Sequence, residues 1–200
     1  MRVSPGAPVT FGITGASGAP YAVRLLRALN DSGTPVRLIV SGYGLRLLAE
    51  ETGIDGIDAL RAATGDWSRV DLYDSLDRGA TPASGSAPSA GMVVCPCSMG
   101  TLASIAAGTS RNLVERAADV ALKERRPLIL VPRETPLSLI HLENMTRLTR
   151  AGATIMPAAP GFYHRPQSID DMVDFVVARI LDHLGVEHRL GRRWQSGEEG

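Results

Sequence analysis

The sequence has little cysteine and no long apolar run. Its two cysteines, Cys95 and Cys97, are too close together to close a useful loop, and no second pair completes a zinc site. Neither a disulfide scaffold nor a structural metal is therefore expected. No apolar run approaches the roughly 18 to 20 residues that span a bilayer, and the N-terminal "MRVSPGAPVTFG" has no apolar segment before a cleavage site. We expect a cytoplasmic protein with no membrane partner.

An excess of charge of one sign is also missing. Lys and Arg total 21, as do Asp and Glu, and the basic residues are scattered along the chain. A nucleic-acid partner is not indicated, because such a partner is recognised by a basic patch or stripe. The remaining candidate partners are small molecules and further copies of the chain. With 200 residues, 44% of them hydrophobic, we expect one domain over residues 1–200, with peripheral tails at about 1–8 and 186–200.

What the sequence does contain is an alternation of short apolar runs with helical patterns. This alternation predicts βαβ units and an α/β fold, with a mostly parallel sheet covered by helices on both faces. Residues 55–90 have weak periodicity and are predicted to form an irregular excursion that ends in a loop near the site. The predicted strand and helix pairs are "VTFGI" with 21–30, "VRLIV" with 45–51, "GMVVC" with 101–107, "PLILV" with 137–150, and "ATIM" with 169–184.

The loop "TGASGA" joins the first predicted strand to the first helix. Ligands of open α/β sheets bind at such loops, where free N–H groups at a helix start attract phosphate. Gly15 and Gly18 permit close approach of the backbone, and Thr14 and Ser17 supply hydroxyls. The glycine spacing is G-x-x-G-x-x-G rather than G-x-G-x-x-G, and no acid stands beside Ser41 at the end of the second strand. NAD is disfavoured and FMN fits better, although a plain turn also uses Gly and Ser.

Two further strand ends carry polar residues. After "GMVVC", the stretch "CPCSMGT" presents Ser98, Gly100 and Thr101 at another helix start. Two such turns can hold different parts of one ligand. After "PLILV" come Arg133, which suits flavin carbonyls or a phosphate, and Glu134, which can move protons. A surface ion pair is the alternative reading of this last pair.

Other features have a structural interpretation beside a functional one. Cys95 is interpreted as a core residue rather than a nucleophile, because no cationic neighbour activates it. The motif "DDMVD" at 170–174 matches an aspartate cluster that holds magnesium, but it follows Ser168, a candidate N-cap, where acids favour the helix dipole. We therefore predict no magnesium requirement. His141 is interpreted as a packing or hydrogen-bonded residue on an amphipathic helix, and His164 as a residue that shapes its loop.

Taken together, these motifs resemble the UbiX-type flavin prenyltransferases, relatives of the homo-oligomeric flavin-containing cysteine decarboxylases. The resemblance covers nearly the whole chain, through "GITGASGA", "PASGS", "CPCSMGT", "NLVERAADVALKERRPLILVPRE", "HLENM" and "PAAPGFYHRPQSIDDMVDFVVARILD" in the same order. It implies a flavodoxin-like or Rossmann-like fold and a homo-dodecamer with sites at subunit interfaces. It also implies transfer of a dimethylallyl group from dimethylallyl monophosphate to reduced FMN. The product, prenylated FMN, would serve a UbiD-type decarboxylase.

The resemblance also implies site residues. Proton transfer would be assisted by Glu134 and by Glu51, and the donor phosphate would meet Tyr163, Arg179 and Lys123. The three cationic or hydroxyl groups would stabilise the departing phosphate, as preorganised donors do for a developing anion. Glu51, Glu134 and the released phosphate are all candidates to remove the ring proton. The implied FMN contacts are Gly15, Ala16, Ser17, Ser41, Ser98, Met99, Gly100, Thr101 and Arg133.

The sequence departs from the family pattern at one place, and two other functions compete. Ahead of "PASGS", where many relatives carry a tryptophan, this chain has Arg78. A flavin-dependent cysteine decarboxylase is disfavoured because "PLSLIHLENM" stands in place of the P-x-M-N-x-x-M substrate motif. A non-catalytic FMN carrier or decarboxylase subunit would not need Lys123, Glu134, Tyr163 and Arg179 together.

Overall fold

The computed structural model describes residues 6–190, in which six strands form one parallel sheet. The strand order is β3-β2-β1-β4-β5-β6, the order of a Rossmann fold rather than that of flavodoxin. The predicted α/β class with a parallel sheet is confirmed. The order reverses between β1 and β4, which is where open α/β sheets bind ligands. The strands are β1 Val9–Ile13, β2 Val36–Val40, β3 Val70–Tyr73, β4 Gly91–Cys97, β5 Leu128–Pro132 and β6 Thr154–Ile155.

Helices cover both faces of the sheet because successive strand side chains point to opposite sides. In β4, Val93 and Cys95 join the core under α1 (Ala19–Asp31) and α7 (Ile169–Leu184), whereas Met92 and Val94 join the core under α4 (Met99–Ala107) and α5 (Leu113–Lys123). A register shift between Val94 and Cys97 places Cys97 in the second of these cores. The layers are therefore helix, sheet and helix, as predicted. The helices are α1 Ala19–Asp31, α2 Gly42–Thr52, α3 Gly56–Thr64, α4 Met99–Ala107, α5 Leu113–Lys123, α6 Leu139–Arg150 and α7 Ile169–Leu184.

The prediction for residues 55–90 was wrong in its first half. This segment contains α3, the edge strand β3 and a 3-10 turn at Thr81–Ala83. β3 pairs only with β2 and leaves Leu72 43% exposed, so its residues do not form the apolar run that marks a buried strand. Helix α5 was also absent from the predicted alternation.

Parts of both predicted peripheral tails contact the core. Ala7, Val186 and Leu190 pack against the cluster under α1 and α7. The predicted tail residues 1–5 and 191–200 lie outside the described residues. Within residues 6–190, none of the helices has both the length and the apolar character that crossing a membrane requires.

Candidate functional site

Thr14 joins the carboxyl ends of β1 and β4. Its buried hydroxyl donates to the carbonyl of Pro96 at 2.9 Å and accepts from the N–H of Ser98 at 2.9 Å. Its own N–H donates to the same Pro96 carbonyl at 3.2 Å. The two predicted ligand turns are therefore neighbours, held together at the point where the strand order reverses.

The second turn presents a helix start with unused donors. Ser98 caps α4 by accepting from the N–H of Thr101 at 3.2 Å, and it donates to the Thr101 hydroxyl at 3.0 Å. The N–H groups of Met99 and Gly100 have no acceptor among residues 6–190. Two free N–H groups and two hydroxyls are thus available to bind an anion at the positive end of α4.

The start of α1 offers no comparable free N–H groups, because the side chain of Glu51 already accepts hydrogen bonds from them. The Glu51 carboxylate, carried by α2, accepts from the N–H groups of Gly18 at 2.8 Å and Ala19 at 2.7 Å. Burial raises the pKa of Glu51, but the hydrogen bonds to its carboxylate, including one from the Ser17 side chain, outweigh burial. The pKa therefore lies below its usual value of 4.5. The first turn is fixed by this carboxylate, so a ligand phosphate is better received at α4 than at α1.

Arg133 and Ser41 lie beside these two turns. We call the polar surface that they form together, residues 14–18, 41, 98–101 and 133–134 at the carboxyl ends of the strands, the rim. The Arg133 Nε donates to the carbonyl of Ser17 at 3.3 Å, and its charge also lowers the pKa of Glu51. Ser41 donates its N–H to the carbonyl of Ile13 at 3.0 Å and caps α2. The next residue after Arg133, Glu134, is exposed and accepts from the N–H of Thr135 at 3.1 Å through one oxygen. The ends of β1, β2, β4 and β5 therefore meet at one rim.

Gly15 is required by a close approach of α2. A Cβ at Gly15 would lie 2.4 Å from the Cβ of Tyr43, closer than side-chain atoms pack. The neighbouring Ala16 is buried, so the turn presents mainly backbone at this point. Tyr43 was not among the predicted site residues, although an aromatic residue three positions after the end of β2 was a visible signal.

A separate cleft carries two of the predicted donor-binding residues. This cleft, of ≈ 1090 Å³, is lined by Tyr163, Arg179, His164 and Phe175 among others, and none of the rim residues described above lines it. Arg179 pairs with Asp182 at 2.9 Å. His164 stacks on Phe175 with centroids 5.3 Å apart, and Tyr163 contacts both rings edge-on.

Lys123 lies at the opposite edge of the sheet from the rim. Lys123 is the last residue of α5 and lies beside Gly85. Four residues later, the carbonyl of Pro127 accepts a hydrogen bond from the N–H of Met92 at the start of β4, which places this segment at the amino ends of the strands. The seven residues of β4 put about 20 Å between the two edges. One chain therefore does not bring Lys123 to Arg133.

The remaining candidates have structural partners. Asp171 accepts from the N–H groups of Gln167 and Ser168 and caps α7, and Asp174 forms an ion pair with Arg24 of α1. His141 caps α6 through Ser138. Arg78 is exposed. Within residues 6–190, no group of three His, Cys, Asp or Glu side chains is arranged to hold a metal.

The two cysteines are buried in the core. Burial raises the pKa of Cys97 to about 12, and burial raises the pKa of Cys95 further, with the Cys97 charge adding to the effect. Neither thiol forms a thiolate near neutral pH. The interpretation of Cys95 as a core residue agrees with this placement.

Comparison with known proteins adds three findings. The family model described as Flavoprotein matches residues 2–181. Flavin prenyltransferase UbiX of Halalkalibacterium halodurans is 51% identical over 196 residues, covering 95% of this chain and 93% of that protein.

Two crystal structures are also similar. A dodecameric FMN-dependent UbiX-like decarboxylase of Escherichia coli O157:H7 has a TM-score of 0.88 at 45% identity, over 94% of this chain and 100% of that chain. AnUbiX (PadA1) in complex with FMN and dimethylallyl pyrophosphate has a TM-score of 0.86 at 39% identity, over 94% and 99%.

Proposed function

This chain belongs to the UbiX-type flavin prenyltransferases of the Flavoprotein family. We therefore propose that its rim binds reduced FMN and that the cleft lined by Tyr163 and Arg179 binds the dimethylallyl donor. The enzyme is a transferase that attaches a dimethylallyl group to the flavin. The observation that carries the assignment of the rim is the double hydrogen bond of Thr14, which makes the first two polar turns one surface.

The rim fits a mononucleotide. The free N–H groups of Met99 and Gly100 and the hydroxyls of Ser98 and Thr101 suit one phosphate. No acid stands beside Ser41 to bind the second ribose of a dinucleotide. Reduced FMN, when bound, supplies the electron-rich ring atoms that accept the dimethylallyl group. The backbone of Gly15, Ala16 and Ser17 and the side chain of Arg133 would complete its contacts.

The donor phosphate is assigned to Tyr163, Arg179 and Lys123. Their hydroxyl and charges would stabilise the anion that grows as the carbon–oxygen bond loosens, and each such donor typically contributes a few kcal/mol. Lys123 lies at the amino ends of the strands, opposite the rim. The lysine that contacts the donor beside a given flavin must therefore come from another copy of the chain. This supports a homo-oligomer, and the dodecameric relative makes a dodecamer our proposal for its size.

Glu134 is the better candidate for the proton. Glu51 is held by two backbone N–H groups and has a lowered pKa, so it is a weak base whose carboxylate already has donors. Glu134 is exposed at the rim and uses one oxygen for a backbone N–H. We therefore assign proton removal to Glu134 and loop positioning to Glu51.

The test is direct. Purified protein is incubated anaerobically with reduced FMN and dimethylallyl monophosphate, without metal, and the flavin is analysed by mass spectrometry. A flavin heavier by one five-carbon unit is expected. Glu134→Gln should bind FMN and form little product, whereas the exposed Glu187→Gln control should match the wild type. Prenylation by Glu134→Gln at the wild-type rate contradicts the role of Glu134, and an unmodified flavin in every sample contradicts the function.

Two points extend the proposal. We propose that the product is transferred to a UbiD-type decarboxylase, which the prenylated flavin should activate when the two are mixed. The donor is proposed to be the monophosphate, and parallel reactions with the diphosphate test that preference. A cysteine decarboxylase would instead release carbon dioxide from a C-terminal peptidyl cysteine with oxidised FMN, a reaction expected to be absent here.

A further inference from the structure

Tyr43 is a large aromatic side chain left open at the rim. It lies in the first turn of α2, two residues after the cap Ser41, and it is 73% exposed. Among residues 6–190 its hydroxyl has no hydrogen-bond partner and its ring has no aromatic contact, although its hydroxyl interacts electrostatically with Arg46 one turn further along α2. Water satisfies the hydroxyl of an exposed tyrosine, so the informative feature is the open ring, which offers a large apolar face to a ligand or another chain.

The backbone beneath Tyr43 is fixed against the first ligand turn. A Cβ on Gly15 would lie 2.4 Å from the Cβ of Tyr43 and 3.3 Å from its Cγ. Gly44 is held equally closely, since a Cβ there would lie 2.7 Å from the carbonyl of Ile13. The ring therefore starts at the Gly15 backbone, and α2 has no room to approach further or rotate.

The first turn has a second aromatic neighbour, because the half-buried ring of Tyr21 lies against Gly18, but the proposed flavin contacts themselves include no aromatic side chain. Its other proposed flavin contacts are glycine and alanine backbone, serine and threonine hydroxyls, one methionine and the guanidinium of Arg133. An isoalloxazine ring is planar and apolar on both faces, and aromatic pairs prefer offset-stacked or edge-to-face contact. Among residues 6–190, Tyr43 is the exposed aromatic side chain that lies against Gly15.

We infer that Tyr43 packs its ring against the flavin and sets flavin affinity at this site, an inference that rests on the proposed function. The same helix then performs two tasks, since it also carries Glu51, which fixes the first turn. Tyr43 acts through stacking and takes no part in proton transfer, so its removal affects binding more than the chemical step.

The experiment compares Tyr43→Leu, which keeps an apolar side chain but removes the ring, with Tyr43→Phe, which keeps the ring. The control is Leu76→Ala, because Leu76 is equally open at 77% exposure but lies in the loop after β3. Dissociation constants for oxidised FMN are measured by fluorescence titration, and the mass of the assembly by light scattering. Tyr43→Leu is expected to weaken FMN binding about three- to tenfold with an unchanged mass, whereas Tyr43→Phe and Leu76→Ala bind normally. Bound FMN should also emit more strongly in Tyr43→Leu, because a stacked phenol quenches flavin fluorescence.

Two results overturn the inference. One is an unchanged FMN dissociation constant in Tyr43→Leu, and the other is a smaller assembly in that variant, which would make Tyr43 a subunit contact. Failure here is distinguishable from failure of the function. If the wild-type protein forms prenylated flavin and Tyr43→Leu binds FMN normally, only the role of Tyr43 is contradicted. Wild-type protein that binds no FMN sinks the function.

Discussion

The Glu51 carboxylate accepts a hydrogen bond of 2.8 Å from the backbone N–H of Gly18, which ties α2 to the start of α1. Because the pKa of Glu51 is lowered in the folded protein, its ionised form stabilises the fold above the usual value of 4.5. That contribution is lost as the pH falls from about 4.5 through the lower folded pKa.

Glu51→Gln should therefore lower the free energy of unfolding at pH 7 by about 0.5–1 kcal/mol, the usual effect of a charge at a helix N-terminus. Urea denaturation between pH 7 and pH 3 measures this, with Glu50→Gln as control because Glu50 pairs only with Arg46 on the outer side of α2. The difference from wild type should shrink on acidification. A difference that stays constant over this range would contradict the assignment.

Thr14→Val should separate the two ligand turns. The change removes a buried hydroxyl and leaves the Pro96 carbonyl and the Ser98 N–H with one partner fewer, so we expect about 1–3 kcal/mol of destabilisation and weaker FMN binding. Thr14→Ser keeps the hydroxyl and should retain most FMN affinity. Denaturation curves and FMN titrations of both variants test this, and equal FMN affinity in Thr14→Val and wild type would show that the tie is dispensable.

Much of this site follows from strand ends in the sequence, because a parallel sheet brings all carboxyl ends to one edge. The turns at Gly15 and Ser98 and the pair at Arg133 were found in that way, and the structure joins them. The location of Lys123 was missed although the sequence allowed it, because residues that lead into a parallel strand such as "PLILV" lie at the amino ends of the strands, opposite the rim. The capping by Glu51 was missed because it depends on how α2 packs against α1, a tertiary contact without a local pattern.

Gly15→Ala tests the close approach at the rim. The added Cβ would meet the Cβ of Tyr43, so either α2 or the first turn must move, and FMN affinity should fall at least tenfold. Gly42→Ala is the control, because Gly42 lies in α2 next to Tyr43 and a Cβ there meets nothing within 4 Å. Gly42→Ala should be neutral or slightly stabilising, since alanine favours helix more than glycine does. Normal FMN binding by Gly15→Ala would argue that the rim tolerates movement.

The acidic motif of α7 should matter for stability and not for metal. Asp171→Asn weakens a cap, and the hydrogen bond from the Gln167 N–H is the largest cause of the lowered pKa of Asp171. Asp174→Asn breaks the part-buried ion pair with Arg24. Both variants should unfold at lower urea concentration, and prenylation by the wild type should be unchanged by EDTA. Activity that disappears with EDTA and returns with magnesium would instead assign the motif to metal binding.

The placement of Lys123 makes the strongest prediction about assembly. Lys123→Gln should reduce turnover about 10²- to 10³-fold by removing one donor to the departing phosphate. Arg133→Gln should be impaired in FMN binding at its own rim. Because these residues lie at opposite ends of the strands in one chain's sheet, we expect each site to take Lys123 from one copy and Arg133 from another. Co-expression of the two variants with different tags, followed by purification through both tags, should therefore recover activity, since some sites combine an intact rim with an intact lysine. Doubly tagged assemblies of Lys123→Gln alone are the control and should stay inactive. If the mixed assemblies are no more active than that control, each chain builds its site alone and the shared site is refuted.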